Sequence, residues 1–286
     1  MPDLPLTAWI FVAGVFGLMV GSFLNVVILR LPERLDALWR QEAHDTLEME
    51  TTSRALPPGI VRESSHCPHC KHPLAAYDNI PLLSWLWLRG RCRYCHATIS
   101  IQYPLVELLS ALLSAVVVWK FGINLQAITG LLFTWTLIAL SGIDFRTQLL
   151  PDQITLPLLW AGLLLSVCHC FIAPASSILG ATFGYLSLWS VYWIFKLLTN
   201  KEGMGFGDFK LLAALGAWMG PLALLPIVLL SSLSGALLGG ALILAKRLSR
   251  EMAMPFGPFI AMAGWIWFVA GDVIQSEYFS LFNVAR

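Results

Sequence analysis

The chain has 286 residues, a formal net charge of +1, 57% hydrophobic residues and only 12% charged ones, with a mean hydropathy of +0.73. That composition excludes an ordinary soluble domain or a disordered polyelectrolyte and points to a polytopic membrane protein. The net charge is silent on nucleic acid, and with no basic tract interleaved with aromatics, none is expected as a partner.

The first apolar window runs over residues 7–29 and is long enough to cross a hydrocarbon core of roughly 30 Å. Its flank, MPDLPLT, carries Asp3 and no Lys or Arg, so it predicts a retained helix and not a cleaved signal peptide. Gly17 and Gly21, four apart, have the small-residue spacing that close helix packing in lipid uses, as do Gly235 and Gly239.

The only long polar segment is 30–101. Residues 33–65 alternate acidic and basic side chains without clear periodicity and read as a surface insertion. Two Cys-x-x-Cys pairs follow, Cys67 with Cys70 and Cys92 with Cys95. Each pair forms a tight knuckle with two sulfurs facing one point, and two knuckles supply the tetrahedral four-thiolate set of a structural zinc site. Disulfides are not expected on the reducing side of a membrane. His66, His69, His72 and His96 then read as surface residues, and four protein ligands leave no open position for catalysis at the metal.

Further windows follow at 102–119, 125–143, 154–172, 176–198, 221–245 and 256–275, and a shorter one at 208–220 brings the expected count to eight spans, with a break at Gly220 and Pro221. Ionisable groups inside or at the edge of such spans are functional candidates. They are Glu107, Asp144, Asp152, Asp208 and Asp272. Asp208 and Asp152 sit where a carboxylate caps a helix start. Asp144 ends a span, where the helix dipole disfavours negative charge. Glu107 and Asp272 read equally as structural, and Cys168, His169 and Cys170 are assigned no role.

An outside N-terminus with eight spans leaves 30–101, 144–153, 199–207 and 246–255 on the inner side. With the adjoining Lys196 and Lys210, these hold all of the Lys and Arg except Lys120 and Arg286, which is the positive-inside bias. The same topology puts Asp144 and Asp208 at one membrane face, where they can meet. Two carboxylates sharing a proton can activate water and protonate a carbonyl, the chemistry of aspartyl proteolysis. Helix polarity nominates Asp208 as base and Asp144 as acid. Gly205 and Gly207 would let an extended peptide approach Asp208 closely. A secondary transporter with membrane-embedded carboxylates, or a non-catalytic assembly factor with a zinc-bound docking loop, are the competing readings.

In order along the chain stand GSFLNVVILRLP (21–32), the paired cysteines, YDNIPLLSWLWLRGRC (77–92), YPLVE (103–107), DFRTQLLPD (144–152), GMGFGDFKL (203–211) and PFGPF (255–259). By these motifs the chain resembles the type IV prepilin peptidases, bifunctional leader peptidases and N-methyltransferases of pilus and type II secretion systems. The resemblance implies that Asp144 and Asp208 are the catalytic pair, with Gly205 and Gly207 in the family's Gly-x-Gly-Asp motif. It implies prepilin or pseudopilin substrates, cut after a glycine at the cytoplasmic face of the inner membrane, and methylation of the new amine from S-adenosylmethionine. No Rossmann-type glycine fingerprint marks the methyl donor's site. The segment Tyr77 to Arg91, bracketed by the cysteines, is the expected place, with Gly90 and Arg91 as candidate residues. The expected architecture is all-α: residues 1–29 a first transmembrane helix, 30–101 a cytoplasmic zinc-binding domain linked to methyl transfer, and 102–286 a transmembrane aspartyl peptidase bundle. Pilin and pseudopilin clients, and the oligomeric state, are not distinguished by sequence.

Overall fold

The computed structural model describes residues 5–47, 56–61, 63–201, 203–245 and 254–283. Among these the structure is helical, without strands; two isolated bridges, His66 with Pro73 and Arg91 with Thr98, are the β-type pairings. The chain divides into two compact units, Met1–Ala139 and Leu140–Arg286.

In the first unit, α1 (Leu6–Thr46) continues well beyond the apolar window, through Pro32 and into the polar stretch. The surface insertion expected over 33–65 is therefore helical as far as Thr46; residues 48–55 and 62 lie outside the described residues. The sequence ERLDALWRQEA supplies strong helix formers, an Asp36–Arg40 pair at i,i+4 and a buried Leu35. Arg30 and Arg34 reach from this extension to the carbonyls of Gly59, Glu63, Ser64 and Pro57, fastening the chain that leads into the first cysteine pair.

α1 packs along α3 (Gln102–Phe121), and the two glycines set the separation. A Cβ on Gly17 would stand 2.7 Å from Ser114 Oγ, and one on Gly21 2.7 Å from Glu107 Cα, so a larger residue at either would force the helices apart. α3 ends at Gly122, whose φ of 74° is a conformation L-residues rarely adopt. Asn124 then caps α4 (Leu125–Thr147) by accepting from the Ala127 N–H. Trp135 of α4 donates to Ser114 and lies against Phe16.

The second unit is built around α7 (Phe206–Met219), nearly every residue of which is buried from Asp208 to Trp218. Around it stand α5 (Asp152–Val167), α6 (Pro174–Thr199), α8 (Leu224–Leu244) and α9 (Gly257–Asn283). The Gly180 and Gly216 backbones touch, and a Cβ on Gly184 would stand 2.7 Å from Leu212 O, so α6 and α7 meet backbone to backbone. Ser177 donates to Ala217 O and Trp218 to Leu158 O, tying α7 to α6 and α5. Gly235 and Gly239 pack more loosely, with Phe259 at 3.6 Å and Met254 at 3.0 Å from their would-be Cβ atoms.

The count of eight spans is not reproduced. Among the described residues, six helices are long and apolar enough to cross a membrane; α5, with 16 residues, is shorter. α7 has 14 residues, about 21 Å at 1.5 Å per residue, too short for a core of roughly 30 Å. It escapes that requirement because its neighbours bury it. The break expected at Gly220 and Pro221 is present, with Gly220 at φ 82°.

Candidate active site and metal centre

Three separate stretches of the second unit converge around Leu150. Asp144 lies in the last turn of α4, and its side chain accepts a hydrogen bond of 2.9 Å from the backbone N–H of Gly257, the first residue of α9. A Cβ on Gly257 would stand 2.7 Å from Asp144 Oδ2 and 3.2 Å from Leu150 Cδ1. A Cβ on Gly207, one residue before Asp208, would stand 2.7 Å from Leu150 Cβ. Asp144 and Asp208 are 5% and 8% exposed, so both carboxylates are withdrawn from bulk water. They are close enough for their charges to interact.

Asp208 is the third residue of α7, with Gly205 at the N-cap, and its backbone N–H donates to Gly205 O at 3.3 Å. Asp152 opens α5 but caps nothing visible: it forms an ion pair with Lys210, at 2.6 Å, from the second turn of α7. The space beside Gly207 is taken by Leu150, whereas nothing lies within 4 Å of a Cβ on Gly205. Gly205 is thus the glycine with open space for an approaching peptide. The glycine loop is braced on α6, with Phe195 2.8 Å from a Cβ on Gly203 and Tyr192 against Phe206 and Phe209.

The motif PFGPF has no role that the sequence alone assigns. The structure brings its Gly257 N–H to Asp144, and the only sequence signal for this is the motif's place in the family series. That contact also undercuts the assignment of base to Asp208 and acid to Asp144 by helix polarity. At Asp144 the C-terminal end of α4 meets the N-terminal end of α9, whose fields oppose each other.

In the first unit the four cysteine sulfurs lie within 4.8 Å of one another, Cys67 and Cys95 being 3.7 Å apart. Tetrahedral zinc with Zn–S bonds of about 2.3 Å requires sulfurs separated by about 3.8 Å, so the donors and their spacing fit that ion. The two knuckles repeat each other. Cys67 N donates to His72 O and Lys71 N to Cys67 O; Cys92 N donates to Ala97 O and His96 N to Cys92 O. Lys71 and His96 take the matching left-handed turns, with φ 59° and 56°. Against the cost of burial, backbone contacts from Cys70 and His69 draw the Cys67 thiol down to about 6. Cys95, despite the Ala97 backbone, is pushed up to about 11 by burial and its hydrogen bonds with the other three thiols. A dication among the sulfurs removes that competition.

Between the knuckles, Gly90 has φ 66° and its missing side chain accommodates the Trp85 ring, 2.9 Å from a would-be Cβ. It is a turn glycine at the end of α2 (Leu83–Trp87). Arg91 is exposed and pairs through its backbone with Thr98. Asp78, which sequence reasoning passed over, is buried; Oδ1 accepts two hydrogen bonds from Arg93, and Oδ2 has no hydrogen-bond partner among the described residues. Glu107 accepts a 2.8 Å hydrogen bond from the Leu82 N–H. Asp272 Oδ1 accepts from the N–H of Val273.

A prepilin leader peptidase/N-methyltransferase of Aeromonas hydrophila is 53% identical over 268 residues, 93% of this chain and 92% of that protein. The chain belongs to the type IV leader peptidase family. Proteins of the same name from Xanthomonas campestris pv. campestris and Pseudomonas aeruginosa are 52% and 50% identical, each over 262 residues and 92% of this chain, covering 91% and 90% of those proteins. The family model described as Type IV leader peptidase family matches residues 131–240, and that of the bacterial peptidase A24 N-terminal domain matches residues 15–121. No solved structure matches. The family segments hold the cysteine knuckles in one and both aspartates in the other, while Gly257 falls beyond them.

Proposed function

We propose that this chain removes the leader from prepilins or pseudopilins at the cytoplasmic face of the inner membrane and N-methylates the new terminus, with Asp144 and Asp208 as the proteolytic pair. The observation that carries the assignment is the burial of these two carboxylates within reach of each other's charge, at helix ends held together through Leu150 and Gly257. One carboxylate takes a proton from water as it attacks the scissile carbonyl, and the other donates a proton to the carbonyl oxygen. The tetrahedral intermediate collapses as the leaving amine gains a proton. Gly205 leaves room for the extended substrate backbone. Transport is disfavoured by the family: the relatives described above are named prepilin leader peptidase/N-methyltransferase.

The four cysteines would hold one zinc ion, which ties the two knuckles into a fixed frame for the segment between them. S-adenosylmethionine, when bound, supplies the methyl group. The Tyr77 to Arg91 segment offers it the unpartnered Oδ2 of Asp78 and the exposed Arg91, while Gly90 shapes the turn.

Incubating the purified chain with a model prepilin tests the pair. Asp144→Asn and Asp208→Asn should each lower cleavage by at least about 10²-fold, within the range of general acid–base catalysis. Zinc content and expression should stay unchanged. Near-normal cleavage by either variant removes that residue from the mechanism.

A further inference from the structure

On the first unit, the short helix α2 leaves large apolar side chains uncovered among the described residues. Leu83, Leu86 and Trp87 are 65%, 63% and 84% exposed, with Ile80 beside them at 44%. Their surface is flanked by the exposed cations Arg89 and Arg91. The backbone leading into α2 is strained: Leu82 has φ 56° and ψ −48°, and Leu83 N donates to Pro81 O at 2.6 Å. This is a γ-turn of the rare, strained form, held only where its surroundings enforce it. The enforcing contact is the hydrogen bond from Leu82 N–H to buried Glu107.

Glu107 fixes the depth of this turn. α3 has 20 residues, about 30 Å, and so fills the hydrocarbon core with no length to spare. Glu107 lies five residues into it, about 8 Å from its start. A segment bonded there lies at or just inside the membrane boundary, not above it.

We infer that α2 is an interfacial anchor, with Leu83, Leu86 and Trp87 entering the headgroup–acyl boundary of the leaflet that α3 enters and Arg89 meeting anionic headgroups. Tryptophan is the residue such boundaries favour, and arginine keeps its charge at the headgroups while its stem lies along apolar surface. The partner is therefore a lipid surface, and the anchor pins the zinc-knuckle segment flat against the bilayer.

Spin labels test this in nanodiscs containing phosphatidylglycerol. Cysteines replace Leu83, Leu86 or Trp87 one at a time, in a Cys168→Ser, Cys170→Ser background with zinc on the other four thiols. Unchanged zinc content identifies the variants that keep the fold, and one of the three suffices. The ratio of collisions with oxygen to collisions with a water-soluble nickel chelate should be severalfold higher than for a label replacing exposed Glu42, and close to that of one replacing Leu112 on α3. A ratio equal to that at Glu42 overturns the anchor. So does a lipid-like ratio that arises only when prepilin is added, since the face would then be a protein-docking surface.

Discussion

At the scale of single residues, the least substitutable position beside the aspartates is Gly257. Its N–H orients Asp144, and any side chain there meets the carboxylate at 2.7 Å. Gly257→Ala should lower the cleavage rate by on the order of 10²-fold, the cost of displacing a reacting group by about 1 Å. Initial rates at saturating prepilin, with KM nearly unchanged, are the check; a normal rate would mean the carboxylate does not depend on that contact. Asp152 makes the contrast. Its pair with Lys210 is exposed on the Asp152 side at 52%, so Asp152→Ala should cost no more than about 1 kcal/mol in thermal unfolding.

At the scale of elements, α7 depends on α6 approaching without side chains between them. Gly180→Leu places a side chain where the Gly216 backbone stands. The expected destabilisation is about 3 kcal/mol or more, at or beyond the upper end for overpacking, because backbone cannot yield as a side chain can. A lowered melting temperature together with lost cleavage supports it; an unaltered melting temperature does not. The knuckles have their own dependence. Replacing Cys67 and Cys92 by Ser should remove about one zinc per chain, as measured by elemental analysis, and expose the 66–98 segment to protease because metal binding and folding are coupled there.

For the molecule as a whole, the two candidate sites belong to different compact units, the cysteines and Asp78 to Met1–Ala139 and both aspartates to Leu140–Arg286. The two reactions should therefore separate. Without S-adenosylmethionine, cleavage should continue and mass spectrometry should find an unmethylated N-terminus. Arg91→Ala and Asp78→Asn should lower methylation more than cleavage. Equal loss of both would give those residues a role in folding and move the methyl-donor site elsewhere. Gly90 is a poor probe, since a Cβ there strikes Trp85.

The helical membrane class, the four-thiol cluster and the candidacy of the two aspartates are each written in a local pattern: apolar length, Cys-x-x-Cys spacing, and an acid where a span begins or ends. The sequence also marked Gly17 and Gly21, whose tight contact with α3 is now visible. The extension of α1 to Thr46 was legible in its helix formers but carried no apolar stripe to announce it. Burial of α7 by its neighbours depends on packing between elements, which no local pattern records. The same is true of Gly257 meeting Asp144, Lys210 claiming Asp152 and Glu107 holding Leu82. Each of these joins residues far apart in the chain through a backbone N–H or a long side chain, groups common to so many residues that no local pattern singles out their partners.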